Sequence, residues 1–168
     1  MLRSRFSHSP AFTLIGALSL AACMQLPVEG EFPSPDAPAR LVRESVGGIA
    51  SLRVRTEIDS ASRVWTLVTC AMNIPVAECG AKGHRSTGSL SVATIAQLFA
   101  DTQKPEFRAL AAKYPSGVVV ADGMGHTVVV TANGFTRTIE WEDGATVPAP
   151  LEQFSSDMIT ATRSGNPQ

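Results

Sequence analysis

Three cysteines and three histidines carry the widest chemical reach in this sequence. Cys70 and Cys79 stand close together, and His84 follows them. Two thiols at that spacing close a disulfide loop in an oxidising compartment; joined by an imidazole, they begin a zinc site. The zinc reading lacks a clear fourth ligand and the Cys-x-x-Cys step. Hydrolytic chemistry finds little support. No serine sits in a Gly-x-Ser-x-Gly elbow, and no His-Glu-x-x-His motif occurs. His84 lies among glycines beside Arg85, which reads as a solvated loop. His126 opens an alternating apolar run and reads as a core-edge histidine near Trp141. Glu140, Glu142 and Asp143 are an acidic cluster without the spacing of a calcium loop, so they read as a solvated turn. Gly123-Met124-Gly125 precedes a strand, whereas a phosphate loop needs a helix N-terminus behind it. The expectation is a chain with no catalytic residue, no metal and no cofactor.

The third cysteine sits elsewhere. Arg3 and Arg5 give a positive start, and Ala11 to Leu20 is an apolar run of roughly ten residues. That run is too short to span a bilayer as a helix. Leu20-Ala21-Ala22-Cys23 closes it. The whole stretch resembles a bacterial lipoprotein signal ending in a lipobox. The resemblance implies that residues 1–22, His8 included, are a signal peptide. It also implies that Cys23 is lipidated as the first residue of the mature chain. Two or more acyl chains hold a protein stably at a bilayer, whereas one does so only marginally. Met24 and Gln25 follow, with no Asp; by the family's sorting rule this implies an outer-membrane anchor with the domain facing the periplasm. Export to an oxidising compartment then predicts that Cys70 and Cys79 pair.

Removing the signal leaves about 146 residues, one domain's worth. The whole chain carries a net charge of −1, and the mature part loses two arginines and no acids. No basic stripe interleaved with aromatics occurs, which sets nucleic-acid binding aside. No other apolar run is long enough to cross a membrane. Residues 23–40 contain Pro27, Pro33, Pro35 and Pro38, which favour extended chain. This segment reads as a tether between the lipid and a single domain over residues 41–165.

The elements that would position the remaining residues follow from periodicity. Leu41 to Ser45 is a strand, then Gly47-Gly48-Ile49-Ala50 reads as a bulge or a bend. Leu52, Val54, Thr56 and Ile58 alternate with charged residues, which is a half-buried strand. Arg63 to Cys70 completes a hairpin across the Asp59–Ser62 turn. Asn73 to Gly88 reads as a loop. Ser91 is placed to cap a helix whose buried stripe is Val92, Ile95, Leu98 and Phe99. Pro105 suits the first turn of a second helix, with Phe107, Leu110 and Tyr114 inward. Val118 to Ala121 reads as a short strand.

His126 to Ala132 and Phe135 to Trp141 flank Asn133-Gly134, a strong two-residue hairpin signal. The turn fixes the register: Ala132 opposite Phe135, Val130 opposite Arg137, Val128 opposite Ile139, His126 opposite Trp141. Arg137 then falls on the apolar face, where snorkelling or pairing with Glu44 or Glu57 would satisfy it. Pro148 begins a last helix with Leu151, Phe154, Met158 and Thr162 buried, ending at Gly165. Strand runs separated by helices predict an α+β fold: an antiparallel sheet built from hairpins, with helices packed on one face.

Several of these features recur together in one family. They are Gly47-Gly48-Ile49-Ala50, Gly88-Ser89-Leu90-Ser91 before a helix, Asn133-Gly134 with Arg137-Thr138-Ile139, and Val147-Pro148. The layout from Glu44 to Phe154 resembles the emfourin family, small bacterial inhibitors of thermolysin-like metalloproteases. The resemblance implies a protein-binding domain whose candidate contact residues are Gly47, Gly48, Ile49 and Ala50. The partners expected are the membrane, through the anchor, and an exported protein such as a metalloprotease. Two other classes stand beside this one. A structural or interaction lipoprotein of the envelope would have no protease target. An enzyme would need a pocket joining His84 or His126 to a carboxylate with a shifted pKa.

Overall fold

Alternating side chains build one sheet. The computed structural model describes residues 39–132 and 135–167. The lipobox, Cys23, most of the tether and the Asn133-Gly134 turn lie outside the described residues. Strands β1 (Arg40–Gly47), β2 (Leu52–Asp59) and β3 (Val64–Ala71) form an antiparallel meander. Helix α1 (Val76–Lys82) follows, then β4 (His84–Ser89), α2 (Val92–Gln103) and α3 (Pro105–Arg108). The short β5 (Lys113–Tyr114) precedes the hairpin β6 (Met124–Ala132) and β7 (Phe135–Glu142). Helix α4 (Ala149–Ser164) and the short β8 (Asn166–Pro167) complete the order. The sheet runs β5-β7-β6-β1-β2-β3-β4-β8, antiparallel except for the β5–β7 pair. The fold is α+β. Among the described residues no helix is long and apolar enough to cross a membrane.

The core lies on one face of this sheet. Leu41, Ile58, Trp65, Val128 and Ile139 point from the strands into α2, α3 and α4. Helix α4 answers with Leu151, Phe154 and Met158, all fully buried or nearly so. Phe107 meets Phe154 edge-on at 4.9 Å between ring centres. Burying one such aromatic or aliphatic side chain stabilises the fold by about 1.5–3 kcal/mol. Ser91 caps α2 by accepting from the Thr94 N–H at 3.0 Å. The opposite face is polar and charge-paired: Glu44 meets Arg55 at 3.1 Å and Arg53 at 3.6 Å. Arg43 turns to the core side and donates through Nε to Ser155 Oγ at 2.8 Å, and burial lowers its pKa.

Five expectations need correction. The segment 73–88 is not a loop. It holds α1, whose N-cap is Pro75, and β4, which pairs with β3 from Thr69–His84 to Val64–Ser89. A neighbouring strand imposes β structure on a sequence rich in Ser, Thr and Gly, against its local preference. The helix from Pro105 ends at Arg108, and the chain then runs parallel to β7 as β5 instead of continuing to Tyr114. Val118–Ala121 is not a strand but an exposed irregular segment. Val92 is exposed, so the buried stripe of α2 is Ile95, Leu98 and Phe99.

Arg137 is the fifth case. Its register opposite Val130 is as expected. Its guanidinium, however, donates to the carbonyls of Arg108 and Leu110, not to a carboxylate. Glu44 and Glu57 lie on the other face, engaged by Arg40, Arg53 and Arg55. Arg137 thereby satisfies the carbonyls freed where α3 stops after one turn.

Candidate functional site

The turn between β1 and β2 holds the four residues singled out from the sequence. Gly47 (φ +125°) and Gly48 (φ +75°) reverse the chain, and Ser51 N–H donates back to the Gly48 carbonyl at 2.9 Å. A Cβ at Gly47 would lie 2.7 Å from the Gly123 carbonyl oxygen, so only glycine fits there. Gly48 N–H donates to that same carbonyl at 3.3 Å. The turn is therefore braced against a second segment of chain. Ile49 stands at its tip with 87% of its surface exposed. Ala50 is exposed beside it. Met72, also exposed, ties this end of β3 to the turn by donating to the Ser51 carbonyl at 2.8 Å.

The bracing segment is the one expected to be a strand. Residues 116–123 instead fold on their own hydrogen bonds. Val118 N–H donates to Ser116 Oγ at 3.1 Å, and Gly123 N–H donates to the Val120 carbonyl at 3.1 Å. Ser116 N–H donates to Glu142 Oε2 at 3.2 Å. Val118, Val119 and Val120 are left in solvent, Val119 almost completely at 99%. Three consecutive exposed valines are unusual in a folded domain. Between this segment and the ends of β6 and β7 lies a cleft of about 550 Å³. Its lining includes Val118, Val120, Met124, Glu142 and Asp143.

Behind the cleft runs a row of hydrogen bonds on the core side of the sheet. Asp143 Oδ1 lies 2.8 Å from His126 Nε2, and Asp143 Oδ2 accepts from the Met124 N–H at 2.8 Å. His126 Nδ1 lies 2.8 Å from Ser45 Oγ. The carboxylate only accepts, so Nε2 carries the proton, and in the neutral ring Ser45 O–H donates to Nδ1. The ring stacks on Trp141 at 5.1 Å. The His126 hydrogen bond and the Met124 N–H hold the Asp143 carboxyl below its usual pKa. From sequence, His126 reads as lying near Trp141, whereas Asp143 reads as part of a solvated turn. The signal was present: the hairpin register sets His126 opposite Trp141, which lies two residues before Asp143.

Ser, His and Asp in one row are the residue types of a hydrolase. Ser45 is only 4% exposed, its Oγ is engaged with His126 Nδ1, and it is not among the residues lining the cleft. A nucleophile must reach a substrate carbonyl, and Ser45 does not. The row is a brace that fixes the cleft's floor. His84 is apart from it, exposed, with Nε2 3.2 Å from Ser86 Oγ. Cys70 and Cys79 form a disulfide with their Cα atoms 5.5 Å apart, which removes the zinc alternative by consuming both thiols. Among the described residues no group of three or more His, Cys, Asp or Glu side chains is placed to hold a metal. Compared with known proteins, the chain matches no family model and no curated protein.

Proposed function

We propose that this chain is a lipid-anchored envelope protein whose domain docks another exported protein through the Gly47–Ala50 turn. The partner that fits best is a thermolysin-like metalloprotease, whose cleft the turn would enter and block. One observation carries the reading: Ile49, a large apolar side chain, stands nearly naked on a turn that is braced rather than loose. A braced tip loses little conformational freedom on docking, which is where a binding loop gains affinity. The exposed valines 118–120 extend the same apolar end of the sheet.

The direction of β1 agrees. Arg40, where the tether would enter, is at the far end of an eight-residue strand from Gly47. At about 3.3 Å per residue the docking end stands roughly 25 Å from that entry.

The test uses the full lipoprotein in detergent and a panel of thermolysin-like proteases. Inhibition is expected, with Ile49→Asp abolishing it while leaving thermal stability unchanged. No inhibition of any enzyme in the panel rejects the protease as partner. Cys23→Ser is expected to move the protein from the membrane fraction to the soluble fraction.

A further inference from the structure

We infer that residues 28–32 of the tether, Val28-Glu29-Gly30-Glu31-Phe32, add to the free edge of β7 as an antiparallel strand. Neither the segment nor the edge takes part in the protease docking proposed above.

The outer edge of β7 is open along most of its length. Strand β5 covers it only at Glu140 and Trp141. The Glu140 N–H points outward, to the Ala112 carbonyl at 2.9 Å. Backbone groups alternate sides with a period of two, so those of Thr138 and Thr136 also point outward. Among the described residues neither has a backbone partner on that side. Sheets blunt such an edge with lysine, proline or a bulge. Phe135-Thr136-Arg137-Thr138-Ile139 has no lysine or proline, and its register with β6 is unbroken. The Arg137 guanidinium is engaged by the Arg108 and Leu110 carbonyls and does not guard the edge. The residue types favour a strand neighbour, and Phe135 is 48% exposed. The opposite edge differs, because β4 opens with exposed His84 and Arg85.

Chain length and direction name the occupant. Arg40 pairs with Thr131, and Thr131 with Thr136, so the tether joins β1 level with the start of β7. A strand outside β7 would lie three strand spacings from β1, roughly 14 Å. Residues 33–38 reach up to about 20 Å when extended, enough to cross. A segment that finishes at this end of the sheet runs antiparallel to β7.

Only one register satisfies the residues. Pro27 and Pro33 bound the segment and lack an N–H, so neither can stand opposite Thr136 or Thr138. Ile139 is buried in the core, so Phe135, Arg137 and Ile139 share the helix-side face. The apolar residues of the segment must join that face. Glu31 opposite Thr136 and Glu29 opposite Thr138 meets both conditions. Each of these pairs exchanges an N–H and a carbonyl in both directions. Phe32 then covers Phe135, Gly30 leaves room beside Arg137, and Val28 meets Ile139. Glu29 and Glu31 fall on the polar face beside the threonines. Pro27 falls opposite Glu140, whose N–H is already held by Ala112. With the lipid anchor proposed above, the free tether shrinks to residues 24–27, about 13 Å at most. The strand would then hold the domain close to the bilayer.

The experiment is amide hydrogen exchange of the full lipoprotein in detergent, read residue by residue by NMR. The Thr136 and Thr138 amides are expected to be protected. Glu29→Pro with Glu31→Pro removes both donors of the added strand and should quicken exchange at Thr136 and Thr138 by about tenfold or more. Amides of the β1–β2–β3 meander should not change, which shows that the domain stays folded. Val28→Pro removes an N–H that faces solvent in this register and should leave both threonines protected. Unprotected Thr136 and Thr138 amides in the parent overturn the inference, as does protection that survives the double variant. Equal loss in Val28→Pro overturns the register. Protection that rises with protein concentration assigns the edge to a second copy and overturns the intramolecular strand. The docking reading is judged separately, by protease inhibition and its loss in Ile49→Asp.

Discussion

His126 Nε2 and Asp143 Oδ1 lie 2.8 Å apart, joining two positions 17 residues apart in sequence. The contact ties the start of β6 to the loop that follows β7. Because Asp143 also accepts from the Met124 N–H, one carboxylate holds both the floor of the cleft and the residue beneath the Gly47–Gly48 turn. This end of the sheet is thus braced by a side chain that is itself 43% exposed.

Asp143 gives the pH dependence. Its folded pKa is depressed, first by the His126 hydrogen bond and then by the Met124 N–H. A depressed carboxylate contributes stability that is present above its unfolded pKa, near 3.9, and is lost as pH falls through the folded value. Water screens a carboxylate this exposed, so the contribution is held to about 0.5–1 kcal/mol. Asp143→Asn should be less stable than the parent by that amount at neutral pH. The gap should shrink below about pH 4 and vanish in stronger acid. Urea melts across that range check it. A gap that grows with acid would contradict the assignment.

Gly47 is the position where the Gly47–Ala50 turn tolerates least. Its φ of +125° suits only glycine, and a Cβ would meet the Gly123 oxygen at 2.7 Å. Gly47→Ala should cost about 2–3 kcal/mol and lower the Tm by about 5–15 °C. Gly48→Ala has the milder φ of +75° and meets nothing closer than 3.6 Å. It should cost about 1 kcal/mol. Calorimetry of the two variants distinguishes a braced turn, which predicts the ordering, from a loose one, which predicts two equal small losses.

Much of this fold was legible in the sequence because it rests on local chemistry. The register of β6 and β7, from Ala132–Phe135 to His126–Trp141, follows from a two-residue turn and alternation. The α4 stripe of Leu151, Phe154, Met158 and Thr162 follows from helical spacing, and all four are buried. What was not legible depends on partners distant in the chain. Strand β4 exists because β3 lies beside it, not because His84–Ser89 favours extension. Val118–Val120 has strand composition, yet the place beside β7 is taken by Lys113–Tyr114. The Gly47–Ala50 turn was legible from its paired glycines. The cleft was not, because it arises from that displaced segment.

The disulfide offers a third measurement. Cys70 is the next-to-last residue of β3 and Cys79 lies within α1, nine residues on. Closing so short a loop is worth about 2–3 kcal/mol on the chain-entropy model. Cys70→Ala with Cys79→Ala should lose about that much in a denaturant melt. Hydrogen exchange should quicken first in α1, whose other buried anchors are absent: Cys79 is its sole buried residue. The turn that bears Ile49 is held by other contacts, so the proposed docking should survive the change.

Arg137 provides the sharpest test of how the core is satisfied. The guanidinium donates through Nη1 to the Arg108 carbonyl and through Nη2 to the Leu110 carbonyl. Both acceptors belong to the chain leaving α3, beyond the Leu110 N–H bond to the Phe107 carbonyl that closes its last turn. Arg137→Met keeps the apolar stem and removes both donors. Each carbonyl left unpaired in a partly buried site costs about 1–3 kcal/mol, so the variant should lose at least about 2 kcal/mol. Lysine carries a single ammonium and lacks the planar fork that reaches two carbonyls at once, so Arg137→Lys should recover about half. The consequence should also be local. Leu110 leads into Ala112, whose carbonyl accepts from the Glu140 N–H at 2.9 Å, and then into β5. Release of the α3 end should therefore raise hydrogen exchange at Glu140 and along the β5–β7 pair before the β1–β2–β3 meander responds. An ion pair as the role of Arg137 would instead predict sensitivity to salt and equal rescue by lysine. The carbonyl contacts predict neither.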